Sequence, residues 1–258
     1  MPAATVPASA IIPLLERFGY LATGGRKPGR DELDRAKAEY FAFHGLSPAS
    51  GDTLAAHLAL PRCGAPDIQP KIQGFASPAI CRWPHSPVRC DFTFRVGSLA
   101  IGDVADAFRW ALDRWAAVSG FRWTVDGRNP NIRARDGKID GPGNVLAWSY
   151  MPCDGTDEGT TLEQLYDHAD PGLTQSLSYF RAVVLHELGH ALGLDHSNDQ
   201  RSIMYPLMRP NVLDLGGDDL PRVQARYGKP APVPTPTPTP IPTPAPTLTG
   251  TITVGGKT

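Results

Sequence analysis

The chain has 258 residues, 41% of them hydrophobic and 20% charged, with a formal net charge of -1. That length allows one large domain or two small ones with an ample core, and near-neutrality leaves no electrostatic case for nucleic acid or an anionic membrane as partner. No apolar run approaches the ~20 residues that span a bilayer, and "MPAATVPASAIIPLL" at the start lacks the basic and long apolar regions of a signal peptide.

Residues 8–60 carry apolar side chains at three- and four-residue spacing in "ASAIIPLLERFGYL", "RDELDRAKAEYFAFHGL" and "SGDTLAAHLAL", punctuated by "ATGGRKPG" and "SPAS". The pattern predicts three short helices in a small bundle. The irregular segment "LPRCGAPD" follows, bracketed by proline and glycine. From about Cys90 the character changes: "CDFTFRV" alternates as a strand does, and "IGDVADAFRWALDRWAAVSG" is an amphipathic helix with Val104, Phe108, Ala111, Leu112 and Trp115 on one side. "FRWTV", "NIRAR" and "VLAWSYM" are further strands, and residues 176–192 form a second long helix. Strands and long helices in one unit predict an α+β fold, a twisted mixed sheet with helices packed on it. At the far end, "KPAPVPTPTPTPIPTPAPT" is a stiff polyproline spacer. The closing "LTGTITVGGKT" is either a disordered tail or the first strand of a further module.

The four cysteines (Cys63, Cys81, Cys90, Cys153) are too few for a disulfide scaffold. Cys81 and Cys90 bracket "RWPHSPVR", a loop that a disulfide could close, but with Cys63 set apart three thiols remain and the pairing stays open.

The chemistry concentrates in "VVLHELGHALGLDHSNDQRSIMY". His186 and His190 stand four apart on a predicted helix, so both imidazoles leave one face about a turn apart. That suits a tetrahedral zinc ion at about 2.0–2.1 Å from each nitrogen. Glu187, rotated by roughly 100°, flanks the metal in the position of a general base acting on a water there. Gly193 can take positive φ, end the helix and return the chain, bringing His196 back as third ligand. Three protein ligands leave a fourth position open, the mark of a catalytic zinc. The other histidines, His44, His57, His85 and His168, read as ordinary surface or loop residues.

"HELGHALGLDH" followed by "SIMYP" resembles the metzincin zinc peptidases, whose methionine turn lies beneath the metal; Met204 fits that role. Ser197 and "MYP" are similar to the matrixin branch, and "PRCGAPD" resembles the matrixin cysteine switch. That resemblance implies that Cys63 fills the fourth zinc position in a latent form, with Arg62 and Asp67 pairing to hold the segment. The three helices resemble the peptidoglycan-binding-like propeptide of the same family. The implied domains are a helical prodomain over residues 1–74, a zinc peptidase domain over 75–228, and a proline-rich segment over 229–258. "DGPGNVLA" resembles a matrixin calcium loop, with Asp140, Asp167 and Asp170 as carboxylate ligands suited to Ca²⁺. The family's second, structural zinc would fall on Arg133, Arg135, Trp148 and Leu165, none a zinc ligand, so one zinc per chain is expected. By the same resemblance Leu146 and Ala147 lie on the edge strand that pairs with an extended peptide. Val183 and residues 206–208, beginning with Pro206, wall the selecting pocket, and Ala182 leaves it open for a large apolar residue after the scissile bond. The function implied is a secreted zinc endopeptidase, monomeric, made as a zymogen that another protease activates. A polysaccharide-binding protein on a degenerate peptidase scaffold is the competing reading, and a degenerate scaffold would be expected to lack Glu187 or a ligand histidine. A cell-wall amidase shares the chemistry without the resemblance.

Overall fold

A computed structural model describes residues 7–47, 51–68, 81–153 and 156–231. The predicted end of the spacer and the closing segment lie outside the described residues, as does the stretch between residue 68 and Cys81. The first three helices are α1 (Ala8–Arg17), α2 (Arg30–Phe43) and α3 (Gly51–Leu58). Their apolar stripes meet in a separate small core of Leu15, Phe18, Tyr20, Leu21, Ala36, Tyr40, Phe41, Leu54 and Leu58, as three- and four-residue spacing requires.

The rest is a mixed sheet with helices against it. Its elements are β1 (Arg62–Cys63), β2 (Val88–Asp91), α4 (Ile101–Val118), β3 (Trp123–Val125), β4 (Ile132–Gly137), β5 (Val145–Ser149), β6 (Leu162–Asp167), α5 (Pro171–Gln175), α6 (Leu177–Ala191) and α7 (Asp219–Tyr227). The sheet order is β1-β5-β6-β4-β2-β3. Only β5 and β6 pair antiparallel; the other neighbours are parallel. The long helices are the ones apolar periodicity marks, and Val104, Phe108, Ala111, Leu112 and Trp115 of α4 are all buried. Trp115 donates its indole N–H to the Leu185 carbonyl at 3.0 Å, which ties α4 to α6 at the depth of the core. Ser176 caps α6 by accepting from the backbone N–H of Tyr179.

Two expectations need correction. The alternating "CDFTFRV" is ladder-paired only as far as Asp91. Phe92 and Phe94 stay buried against the Phe108 ring, because alternation reports which side chains face the core and not whether the backbone finds a strand partner. His44 is not a surface residue but fully buried, and His57 is half-buried against the Tyr40 hydroxyl at 2.7 Å. His168 is exposed, as expected, and half-buried His85 lies on a loop.

Cys81 pairs with Cys153, not Cys90, which is buried and free. The bond closes a separation of 72 residues and ties Cys81, ahead of β2, to the segment following β5. Cys153→Ser should cost about 2–4 kcal/mol of stability. Urea unfolding read alongside the parent checks this, and an unchanged midpoint would deny the bond any role.

Candidate metal centre

Every residue from Ala182 to Ala191 on α6 is buried, so this helix presents its polar side chains to an interior site. His186 and His190 leave the same face, with ring centroids 4.9 Å apart. After Ala191 the chain turns at Gly193, where φ is +92° and a β-carbon would overlap the Cys81 carbonyl; only glycine meets both demands. The turn returns His196 to within 4.7 Å of His190 and 5.3 Å of His186, centroid to centroid. Met204 is fully buried. Its sulfur lies so close to Gly189 that any side chain there would displace it, and its carbonyl accepts from the Ser197 N–H at 2.9 Å.

Two of the imidazoles are oriented by their outer nitrogens. Nδ1 of His186 donates to the Ile203 carbonyl and Nδ1 of His190 to the Leu194 carbonyl, each at 2.7 Å. That fixes the tautomer and turns Nε2 inward as a lone-pair donor. Nε2 of His186 and of His196 are buried without a hydrogen-bond partner, and Cys63 Sγ lies 3.4 Å from Nε2 of His190. Ligand atoms of Cys63, His186, His190 and His196 all fall within 4.8 Å of one another. Burial holds the three imidazoles below their ordinary pKa, His186 down to about 3, so they stay neutral, as metal ligands must be. Burial, then the Glu187 charge, push the Cys63 thiol up; a divalent cation in the pocket inverts that order, since thiolate is the ligand form.

Glu187 is fully buried, neither of its oxygens is hydrogen-bonded, and burial pushes its pKa up to about 8. Residues 61–67 cross the site as a strap. The strap's β1 runs parallel to β5 in register Cys63↔Ala147. Arg62 N–H donates to the Asn144 carbonyl (2.7 Å) and Gly64 N–H to the Ala147 carbonyl (2.8 Å). On the other side Cys63 N–H reaches the Pro206 carbonyl (2.9 Å) and Met208 N–H the Pro61 carbonyl (2.9 Å). The side chain of Arg62, fully buried, pairs with Asp67 and stacks 3.4 Å above the Phe18 ring. Burial alone would raise the Asp67 pKa, but the Arg62 guanidinium and the histidines His196 and His44 hold it well below the carboxylate range. Beside the strap, Leu146, Ala182, Val183, Pro206, Leu207 and Met208 line an apolar cavity that His186 and Glu187 also enter.

The three acidic residues of the expected calcium loop are not gathered at one point. Asp167 Oδ2 accepts from the N–H groups of Ile139, Asp140 and Gly141 at 3.0–3.1 Å. Asp170 Oδ1 accepts from Gly143 at 2.6 Å. Among the described residues, only the Cys63 and histidine set brings three or more such ligand atoms together. Of the positions for a second zinc, Arg133 faces Asp91 at 3.8 Å, Arg135 pairs with Glu163 at 2.9 Å, and Trp148 sits opposite Leu165 across β5 and β6. Asp219, which no sequence motif singles out, accepts from the Ser202 hydroxyl and from the N–H groups of Ile203 and Gly216, the latter two at 2.8 Å, bracing the turn at Met204. The acidic pair Asp218 and Asp219 at the start of α7 was its one signal.

The matrixin family profile matches residues 82–228. Over 234 residues the chain is 32% identical to the hatching enzyme of Paracentrotus lividus, covering 83% of this chain and 38% of that protein. It is 30% identical over 246 residues to metalloendoproteinase 4-MMP of Arabidopsis thaliana, covering 83% and 70%. It is 30% identical over 227 residues to the macrophage metalloelastase of Rattus norvegicus, covering 79% and 46%. The chain thus spans between 38% and 70% of the length of these relatives.

Proposed function

The chain belongs to the matrixin family, and from that premise we propose that it is a secreted zinc endopeptidase made in a latent form. One observation carries the reading: three inward-turned imidazoles and a thiol form a closed four-donor set, with unpartnered buried nitrogens that a cation would satisfy. The soft sulfur and three neutral nitrogens fit zinc. When bound, zinc supplies Lewis-acid polarisation of the peptide carbonyl and acidifies a water towards a pKa of ~7.

The chain's own residues do the rest. With the strap gone, the carbonyls of Asn144 and Ala147 on the β5 side and the Pro206 carbonyl and Met208 N–H on the other are released. An extended peptide takes them up, binding through its backbone with little sequence preference. The cavity of Ala182, Val183, Pro206, Leu207 and Met208 accepts a large apolar side chain after the scissile bond, because Ala182 leaves it wide. Glu187 removes the proton of the attacking water and hands it to the leaving nitrogen. In the latent form the N-terminal bundle is the prodomain and Cys63 blocks the cation. An activating protease would cut between the strap and Cys81, in residues outside those described. The resemblance adds Asp140, Asp167 and Asp170 as a calcium loop, whose carboxylates would have to draw together around the cation: Asp170 Oδ2 is buried and unpartnered, and burial with the neighbouring Asp167 and Asp140 charges lifts Asp170 to about 6, a repulsion that a hard cation would relieve. Among the described residues no helix is long and apolar enough to cross a membrane.

Metal analysis paired with a peptide library tests the reading. One zinc per chain is expected, with internal cleavage before large apolar residues. Two zincs per chain, or hydrolysis confined to cell-wall peptides, would overturn it.

A further inference from the structure

Each ligand ring needs an outer partner at Nδ1 if its Nε2 is to face a cation. His186 and His190 find theirs in main-chain carbonyls of the region that follows α6. His196 does not. The group facing its Nδ1 is Asp67 Oδ1, 3.0 Å away and off the ring N–H direction, with both side chains fully buried. Among the described residues it is the one carboxylate within 4.0 Å of a nitrogen of that ring.

Asp67 is itself held from behind. Its Oδ2 accepts from the Tyr20 hydroxyl at 2.8 Å and lies 3.3 Å from Nε2 of His44. Nδ1 of His44 meets the Tyr205 hydroxyl at 2.8 Å, and the His44 carbonyl accepts from Gln200 at 3.1 Å. A carboxylate fixed by two residues of the helical bundle is thus delivered to the third ligand of a site 129 residues further along, counting from Asp67 to His196 (196 minus 67). The buried histidine that the sequence pattern left on the surface is part of this mount.

We propose that Asp67 is a positioning residue for His196, so that the N-terminal segment strengthens zinc binding as well as blocking the site. Losing the segment would then exchange a buried carboxylate at His196 for water, and the open enzyme would hold its metal less tightly than the closed one. The inference rests on the reading of the site as a zinc centre closed by Cys63.

The test uses the full-length chain carrying Glu187→Ala, which stops self-cleavage. Cobalt(II) is the optical probe: a thiolate-to-cobalt charge-transfer band reports Cys63 on the metal and checks the underlying reading separately. With that band retained, Asp67→Asn should weaken zinc binding by about 10–100-fold in chelator competition; unchanged affinity overturns the proposal. If the substitution lifts the strap and the band is lost, the parent decides. In its zinc-loaded form the ring Nδ1–H of His196 should be as protected from water exchange, by nitrogen-15 NMR, as those of His186 and His190. Fast exchange at His196 alone overturns the proposal. A parent without the band would remove the Cys63 reading, while the exchange measurement would still judge Asp67.

Discussion

Full-length protein carrying Cys63→Ser should hydrolyse peptides without any cleavage, about 10–100-fold faster than the full-length parent and still more slowly than the trimmed chain. The parent is closed by two kinds of contact. One is the thiol at the centre, 3.4 Å from Nε2 of His190. The other is the strap, with four backbone hydrogen bonds to its two flanks and the buried Arg62–Asp67 pair. Serine removes only the first. A neutral hydroxyl is a far weaker zinc ligand than a thiolate, so the closed state loses a few kcal/mol, and each ~1.4 kcal/mol is tenfold in the fraction open. The backbone bonds, each worth about 1 kcal/mol net, keep most of the population strapped, which is why trimming should still add activity. Equal activity of parent and trimmed chain would show that nothing is latent. A serine variant as silent as the parent, with trimming still effective, would show that the strap blocks without help from sulfur.

Local spacing made half of this site legible. His186, Glu187, His190 and Gly193 lie within one helix and its exit turn, where an offset in sequence is a direction in space. Cys63 with Arg62 and Asp67 was recognisable because its motif is short and contiguous. The buried face of α4 was legible for the same reason, through the period of its apolar residues. What failed needed contacts between distant segments. His44 sits at a helix end with a surface residue's pattern, and distant partners make it interior: Asp67 and Tyr205, the latter 161 positions away. The partner of Cys81 could not follow from three candidate thiols, since the local loop to Cys90 is as plausible in sequence as the long one to Cys153. Helix α7, "DLPRVQARY", buries only Asp219 and Val223, too little apolar periodicity to announce itself.

Glu187→Ala should reduce the turnover of the trimmed chain by about 10²–10⁴-fold, the usual contribution of a general base, while zinc content stays at the parent level. The separation follows from placement. The metal would be held by imidazoles whose outer nitrogens bond to Ile203 and Leu194, and Glu187 contributes to neither contact. Its carboxylate oxygens bond to nothing in the closed form, so truncation removes no hydrogen bond from the fold. It also removes a buried acid whose pKa burial pushes up to about 8, a shift that a divalent cation beside it would counteract. Opening the cleft returns water to Glu187 and relieves the desolvation that raised it, so its pKa falls and the carboxylate forms at pH 7. Activity of the trimmed parent should accordingly decline as pH falls and persist at neutrality. Matched zinc analysis and initial rates on one peptide decide the matter: loss of zinc with loss of rate would make Glu187 a structural residue, and a rate within threefold of the parent would remove it from the chemistry.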